Sequence, residues 1–235
     1  MKILGVIPAR AGSKGVIRKN IRLLNGLPLI AYSIKSALDS KNINDLIVST
    51  DSNEIAAIAK SYGCEVPFLR PKNLAKDNSS SFDVIFHALE KMELKNKYKY
   101  DAVILLQPTT PFRTSALIDQ SISRFDPNKV DSVVTVCDVG PVHPYRMYSI
   151  NENNLLMPCF NDVKDPMMPR QNLPKYFIRS GDIYITSRHC IKNKKSLIGD
   201  ISMGIEVPSE TAINIDSEKD FILAEEIAKE YFRKK

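Results

Sequence analysis

Apolar runs with little alternation recur along the chain, at Ile3 to Ile7, Asp45 to Thr50, Ala102 to Leu106 and Ser132 to Cys137. Such runs predict strands covered on both faces, the condition of a parallel sheet. Between them, apolar residues fall at helical spacing. Leu27 to Leu38 carries a proline in its first turn, and Glu54 to Tyr62 follows the cap candidates Asp51, Ser52 and Asn53. Ser81 to Met92 follows a serine run, a further helix runs from Thr114 or Ser115 to about Phe125, and Glu218 to Phe232 closes the chain behind Ser217. Glu65 to Leu69 and Ile201 to Val207 read as shorter strands, and the alternating Asp182 to Thr186 resumes the sheet. Strands alternating with helices imply an α/β, doubly wound, mostly parallel sheet with right-handed crossovers.

From Gly140 to Ser180 the pattern stops, with prolines at 141, 144, 158, 166, 169 and 174. Forty patternless residues exceed an ordinary loop. Tyr145, Tyr148, Phe160, Tyr176 and Phe177 make the stretch more aromatic than disorder favours, so it reads as an arm carrying substrate residues and an oligomer contact. The organisation is therefore residues 1–139 and 181–235 as one α/β domain, with 140–180 inserted as that arm.

Composition adds little to this picture. The 235 residues suffice for one sizeable domain with an extension, and a net charge of +6 suits an anionic small substrate. No interleaving of aromatic and basic residues points to nucleic acid. Cys64, Cys137, Cys159 and Cys190 form no C-x-x-C pair and read as reduced structural thiols. The N-terminus lacks the form of a signal peptide, and no window approaches the roughly 18 apolar residues of a membrane span, so a cytoplasmic protein is expected.

The chemistry concentrates behind the first strand. Ala9, Ala11, Gly12, Ser13 and Gly15 allow close backbone approach, while Arg10, Lys14, Arg18 and Lys19 supply positive charge, together a phosphate cradle. The loop is neither G-x-G-x-x-G nor a P-loop. In a parallel sheet, ligands sit beyond the carboxyl ends of strands, so the loops starting at Pro8, Thr50, Arg70 and Gln107 are expected to converge on one crevice.

The run Ile7-Pro8-Ala9-Arg10-Ala11-Gly12-Ser13-Lys14-Gly15, with Lys19-Asn20 behind it, resembles the nucleotide-binding signature of the acylneuraminate cytidylyltransferases. Val48-Ser49-Thr50-Asp51, Leu69-Arg70-Pro71, Leu105 to Thr114, Pro169-Arg170-Gln171 and Ile213-Asn214-Ile215-Asp216 follow in that family's order, so the resemblance covers nearly the whole chain. It implies a Rossmann-like fold of the nucleotide-diphospho-sugar transferase type and a magnesium-dependent homodimer. The implied reaction joins the CMP part of CTP to the anomeric hydroxyl of a nonulosonic acid, with release of pyrophosphate.

By this resemblance Arg10 and Lys19 contact phosphates beside the backbone N–H groups of residues 11 to 14, and Asn20 and Arg70 read cytosine. Ser81 matches a base contact and is equally suited to cap a helix. Gln107, with Thr109 next to it, matches the ribose contact. Asp216 is the expected Mg2+ ligand and proton acceptor. The chain departs from the family's Asp-Ile-Asp at Asn214, whose amide can orient or ligate a metal but cannot be a base. Arg170 matches an arginine that pairs the sugar carboxylate, and Arg146 and Arg179 are further candidates. A second departure, Ser180-Gly181-Asp182-Ile183-Tyr184 in place of Asn-Gly-Ala-Ile-Tyr, leaves the preferred sugar open.

Overall fold

The computed structural model describes residues 1–160, 165 and 167–233. The first half contains β1 (Ile3–Pro8), β2 (Leu23–Leu24), β3 (Leu27–Pro28), α1 (Leu29–Leu38), β4 (Asp45–Ser49), α2 (Asn53–Ser61), α3 (Ser81–Asn96) and β5 (Ala102–Leu105). The second contains α4 (Ser115–Arg124), β6 (Ser132–Asp138), β7 (Tyr148–Ile150), β8 (Leu156–Pro158), β9 (Phe177–Ser187), β10 (Ser202–Glu206) and α5 (Glu218–Arg233).

Six strands form one sheet in the order β10-β6-β9-β5-β1-β4. β1 lies parallel to both β4 and β5, and β10 lies parallel to β6. Alternate side chains of β1 enter two separate cores, which is why its sequence does not alternate. Ile3 and Ile7 pack with Ile30 and Ile34 of α1, Ile55 of α2 and Ile118 of α4. Leu4 and Val6 pack with Ile85 and Leu89 of α3 on the opposite face. A third cluster joins Phe221 of α5 to Leu24, Leu29, Val16 and Ile215, anchoring the C-terminal helix beside the loop behind β1.

The structure corrects several sequence expectations. β9 starts five residues before the expected Asp182 and runs antiparallel to both neighbours, pairing Leu105 with Tyr184 and Cys137 with Ile178. Glu65 to Leu69 is not a strand. It makes two isolated bridges, Ile47 with Glu65 and Thr50 with Leu69, and Pro67 between them has no N–H for a ladder. The helix expected from Leu27 begins at Leu29 because Leu27–Pro28 pairs with Leu23–Leu24 across Asn25 and Gly26, whose φ values of 44° and 82° suit a tight hairpin. The caps resolve too: Ser52 accepts from the Ile55 N–H, and Ser80, not Ser81, accepts from the Asp83 N–H.

The stretch without pattern contains an antiparallel hairpin, β7 with β8, whose residues are all exposed. Residues 161–164 and 166 of that stretch lie outside the described residues. His143 fixes the base of the arm. Its Nδ1 accepts from the Tyr145 N–H and its Nε2 lies 2.9 Å from the Pro174 carbonyl, an arrangement that places the N–H on Nε2.

Candidate active site

A cleft of about 320 Å³ opens beyond the carboxyl ends of β1 and β5. It is lined by Arg10, Ser13, Lys14, Lys19 and Asn20 from the first loop, Arg70 and Ser81 from a second wall, Gln107 and Thr109 from a third, and Asp216 at the rim. The convergence expected of the strand-end loops is thus largely met, with one exception: Thr50 and Asp51 do not line the cleft. Asp51 instead accepts the Ala11 N–H at 3.0 Å and orders the loop from behind.

Within that loop the small residues divide. Ser13 lines the cleft, whereas Ala9 is buried with its N–H on the Ser49 carbonyl, and Ala11 and Gly12 are exposed outside the lining. The Ser13 N–H points back to the Ala11 carbonyl at 3.1 Å. Two of the amides expected to face phosphate, those of Ala11 and Ser13, therefore carry internal hydrogen bonds. Gly15 is needed for a reason the sequence did not disclose: a Cβ there would overlap the backbone carbonyl of Asp216. The loop and the Asp216 segment touch backbone to side-chain-free backbone.

A short 3-10 turn, Lys19–Ile21, presents the next two residues. Lys19 Nζ donates to the Ile215 carbonyl at 2.7 Å and to Asp216 Oδ1 at 3.1 Å. Asn20 is buried and spends one amide hydrogen on the Arg10 carbonyl, 2.9 Å away. Asp216 is two-thirds exposed and receives the Asn214 amide on Oδ2 at 2.6 Å. Capping of α5 falls to Ser217, which exchanges hydrogen bonds with Asp220, so the Asp216 carboxylate is not the cap. The Ile215 N–H on the Thr109 carbonyl ties this segment to the third wall.

Arg70 is 5% exposed, and among the described residues its Nε and Nη2 have no hydrogen-bond partner. Burial lowers its pKa, the Asp51 carboxylate opposes that shift, and Arg10 adds to it. An unpaired buried guanidinium is costly, and in a polar cleft it is what a ligand carbonyl would satisfy. Ser81 lines the same wall with the capping duty taken by Ser80.

Two residues absent from the expected set contribute. Asp77 reaches from the second wall to Arg10 at 2.8 Å and Lys14 at 2.6 Å; hydrogen bonds from Lys14 and then Arg10 hold its carboxyl below the usual range. Only its neighbourhood to the serine run could have signalled it. Arg113 lies behind Gln107, and burial lowers its pKa to about 10, against the pull of Asp182. Its only mark in the sequence is a place in the Leu105 to Thr114 segment, which gives no sign of its partners.

Arg146, Arg170 and Arg179 are exposed and lie outside the cleft lining. Arg146 donates to the Met168 carbonyl at 3.2 Å. Among the described residues no cluster of three or more His, Cys, Asp or Glu side chains could hold a metal ion. What Asp216 offers is one exposed carboxylate at the cleft rim, a donor set that suits a hard cation completing its shell with ligand oxygens and water.

A mostly parallel sheet with a basic, partly closed cleft at its strand ends is the architecture of a nucleotide-binding transferase. The comparisons agree. Residues 4–189 match the family described as cytidylyltransferase. The chain is 38% identical over 232 residues to the CMP-N,N'-diacetyllegionaminic acid synthase of Legionella pneumophila, covering 97% of this chain and 96% of that protein. It is 34% identical to the N-acylneuraminate cytidylyltransferase of Escherichia coli, over 100% of this chain and 54% of that protein. A solved structure of CMP:2-keto-3-deoxy-manno-octonic acid synthetase complexed with CTP superposes with a TM-score of 0.70 at 18% identity, over 98% of this chain and 100% of that one, a likeness of fold. The chain belongs to the cytidylyltransferase family and is a nucleotidyltransferase of the acylneuraminate type.

Proposed function

We propose that this enzyme transfers CMP from CTP to the anomeric hydroxyl of a nonulosonic acid of the sialic or legionaminic kind, releasing pyrophosphate. The observation that carries the reading is Arg70, a buried guanidinium with unpaired Nε and Nη2 in the wall of a cleft whose opposite side is basic. The names of the two relatives described above support the substrate class.

In this reading Arg70 and Asn20 address the carbonyl and amino edge of cytosine, Ser81 lies beside them, and Gln107 with Thr109 meets the ribose. Arg10 and Lys19 take the triphosphate, with Lys14 and Ser13 at its edge. The anomeric oxygen attacks the α-phosphorus, the bond to the bridging oxygen of the β-phosphate breaks, and pyrophosphate departs with the charge that Arg10 and Lys19 neutralise. Asp216 accepts the proton of the attacking hydroxyl. Asp216, with Asn214 orienting its carboxylate, would hold the Mg2+ this reading calls for, and that ion would supply positive charge near the phosphoryl oxygens.

The arm is proposed to take the sugar. Arg170 pairs its carboxylate, and Arg146 and Arg179 complete the basic surface. Ile150, Leu156 and Met157 expose apolar side chains at 67%, 63% and 48% on a hairpin that, among the described residues, joins none of the core clusters, which supports a homodimer built through the arm. A cytoplasmic location fits CTP as substrate, and no helix among the described residues is long and apolar enough to cross a membrane.

The test is CTP- and magnesium-dependent pyrophosphate release by the purified protein over a panel of sialic, legionaminic, pseudaminic and 3-deoxy-octulosonic acids. Release with a nine-carbon acid is expected. Release with only the eight-carbon acid would move the substrate to that class, and none with any acid would sink the reading.

A further inference from the structure

Arg113 is 4% exposed, and its guanidinium stands behind the cleft wall rather than in it. Nη1 donates to the Asp182 carbonyl at 2.7 Å, to Thr110 Oγ1 at 3.0 Å and to the Gln107 carbonyl at 3.3 Å. Nη2 donates to Ser33 Oγ at 2.5 Å, and Ser33 in turn donates to the Gln107 carbonyl at 3.2 Å. One side chain thus joins α1, the turn behind β5 and the middle of β9. The Nε has no hydrogen-bond partner among the described residues, so the group is retained at a cost in desolvation. The opposing surface is fitted as closely: Gly181 has φ +88°, and a Cβ there would lie 3.2 Å from Gln107 Oε1 and 3.3 Å from Thr110 Cγ2.

We propose that Arg113 is a positioning residue, holding the Gln107 to Thr110 turn against residues 180–182 so that the nucleotide wall and the root of the arm are set as one unit. The inference rests on the nucleotide reading above. It requires the planar fork of an arginine, because donors must reach Asp182, Thr110 and Ser33 from fixed directions, and the point charge of a lysine cannot span them. Arg113 touches no substrate and acts through the placement of Gln107.

The experiment is a double-variant cycle. The Kd for CTP is measured by calorimetry for the wild type, Arg113→Lys, Gln107→Ala and the pair, with dCTP as a second ligand and a thermal melt on each protein. Arg113→Lys is expected to weaken CTP about tenfold, the double variant to be no weaker than Gln107→Ala alone, and both single variants to narrow the preference for CTP over dCTP. A loss of stability without displacement of Gln107 would leave that preference at its wild-type value. If Arg113→Lys does not fold, Ser33→Ala and Thr110→Val, which each remove one partner, enter the same cycle. Additive effects, or an unchanged preference in folded variants, overturn the inference while wild-type CTP binding leaves the functional reading intact. Failure of the wild type to bind CTP brings down the functional reading and this inference together.

Discussion

Lys19 Nζ lies 3.1 Å from Asp216 Oδ1, joining residues 197 positions apart across the rim of the cleft. The lysine is 14% exposed and the carboxylate 66%, so the contact is a largely buried cation presenting an anion to solvent. Lys19 also holds the Ile215 carbonyl, and the two contacts fix the segment from which Asp216 projects. Lys19→Met is therefore expected to reduce turnover through both charge and placement, and Asp216→Asn through loss of the proposed proton acceptor, each by on the order of 10²-fold or more. Steady-state pyrophosphate release measures both. An Asp216→Asn enzyme with wild-type turnover would remove the aspartate from the chemistry.

Arg70 predicts a trade between stability and binding. Replacing it with Met removes a buried, incompletely paired charge, so the melting temperature is expected to hold or rise. CTP affinity is expected to fall by about 1.5–3 kcal/mol, the range for a hydrogen bond to a charged group. Calorimetry and a thermal melt on the same protein decide it: a lower melting temperature with unchanged affinity would make Arg70 structural.

Gly15→Ala places a methyl group on the Asp216 carbonyl. The backbones must part, at a cost of about 1–3 kcal/mol in denaturant unfolding, as for other overpacked sites. Turnover should fall with it because Asp216 moves. Wild-type stability in this variant would mean that the loop yields freely.

Acidification provides a further check. Burial, then Lys91 and Arg70, lowers the pKa of His87 below its ordinary 6.5, and its Nδ1 has no partner among the described residues. The unfolded chain therefore binds the proton first. The contribution of His87 is complete above pH 6.5, declines as pH falls from there through the folded value, and is flat below it. His87→Gln should flatten that part of the stability profile, and an identical slope in the variant would assign the loss to other groups.

The arm hairpin can be separated from the fold. Ile150→Asp with Leu156→Asp places charge on two exposed positions that touch no core, so the chain should stay folded while the proposed dimer dissociates. Light scattering reads the mass. A wild type that is already monomeric, or a variant that stays dimeric, would move the interface elsewhere.

Most of the sheet was legible because strands such as β1 and β5 are buried on both faces and write that burial as unbroken apolar sequence. The direction of β9 was not, since an alternating run looks the same whichever way it pairs. Nor was the loss of the Glu65 to Leu69 ladder, although Pro67 was a visible warning. In the site, Lys19, Asn20, Arg70, Gln107 and Asp216 could be named from motif order and do meet in one cleft. Arg113 and Asp77 could not, because their importance lies in partners brought close only by folding, 69 residues away for Asp182 and 67 for Arg10.

The antiparallel pairing of β6 with β9 gives the arm an unusual freedom. The chain leaves the sheet at Asp138 and re-enters at Phe177, and these two residues are directly opposite each other in the ladder. In topological terms the whole excursion is an overgrown hairpin loop, whose closure cost rises only about 0.6 kcal/mol for each doubling of its length. Arms of different length and composition can therefore be exchanged at this one gate without re-threading a strand. On the proposed reading, one nucleotide platform could then be kept while acceptor preference changes with the arm.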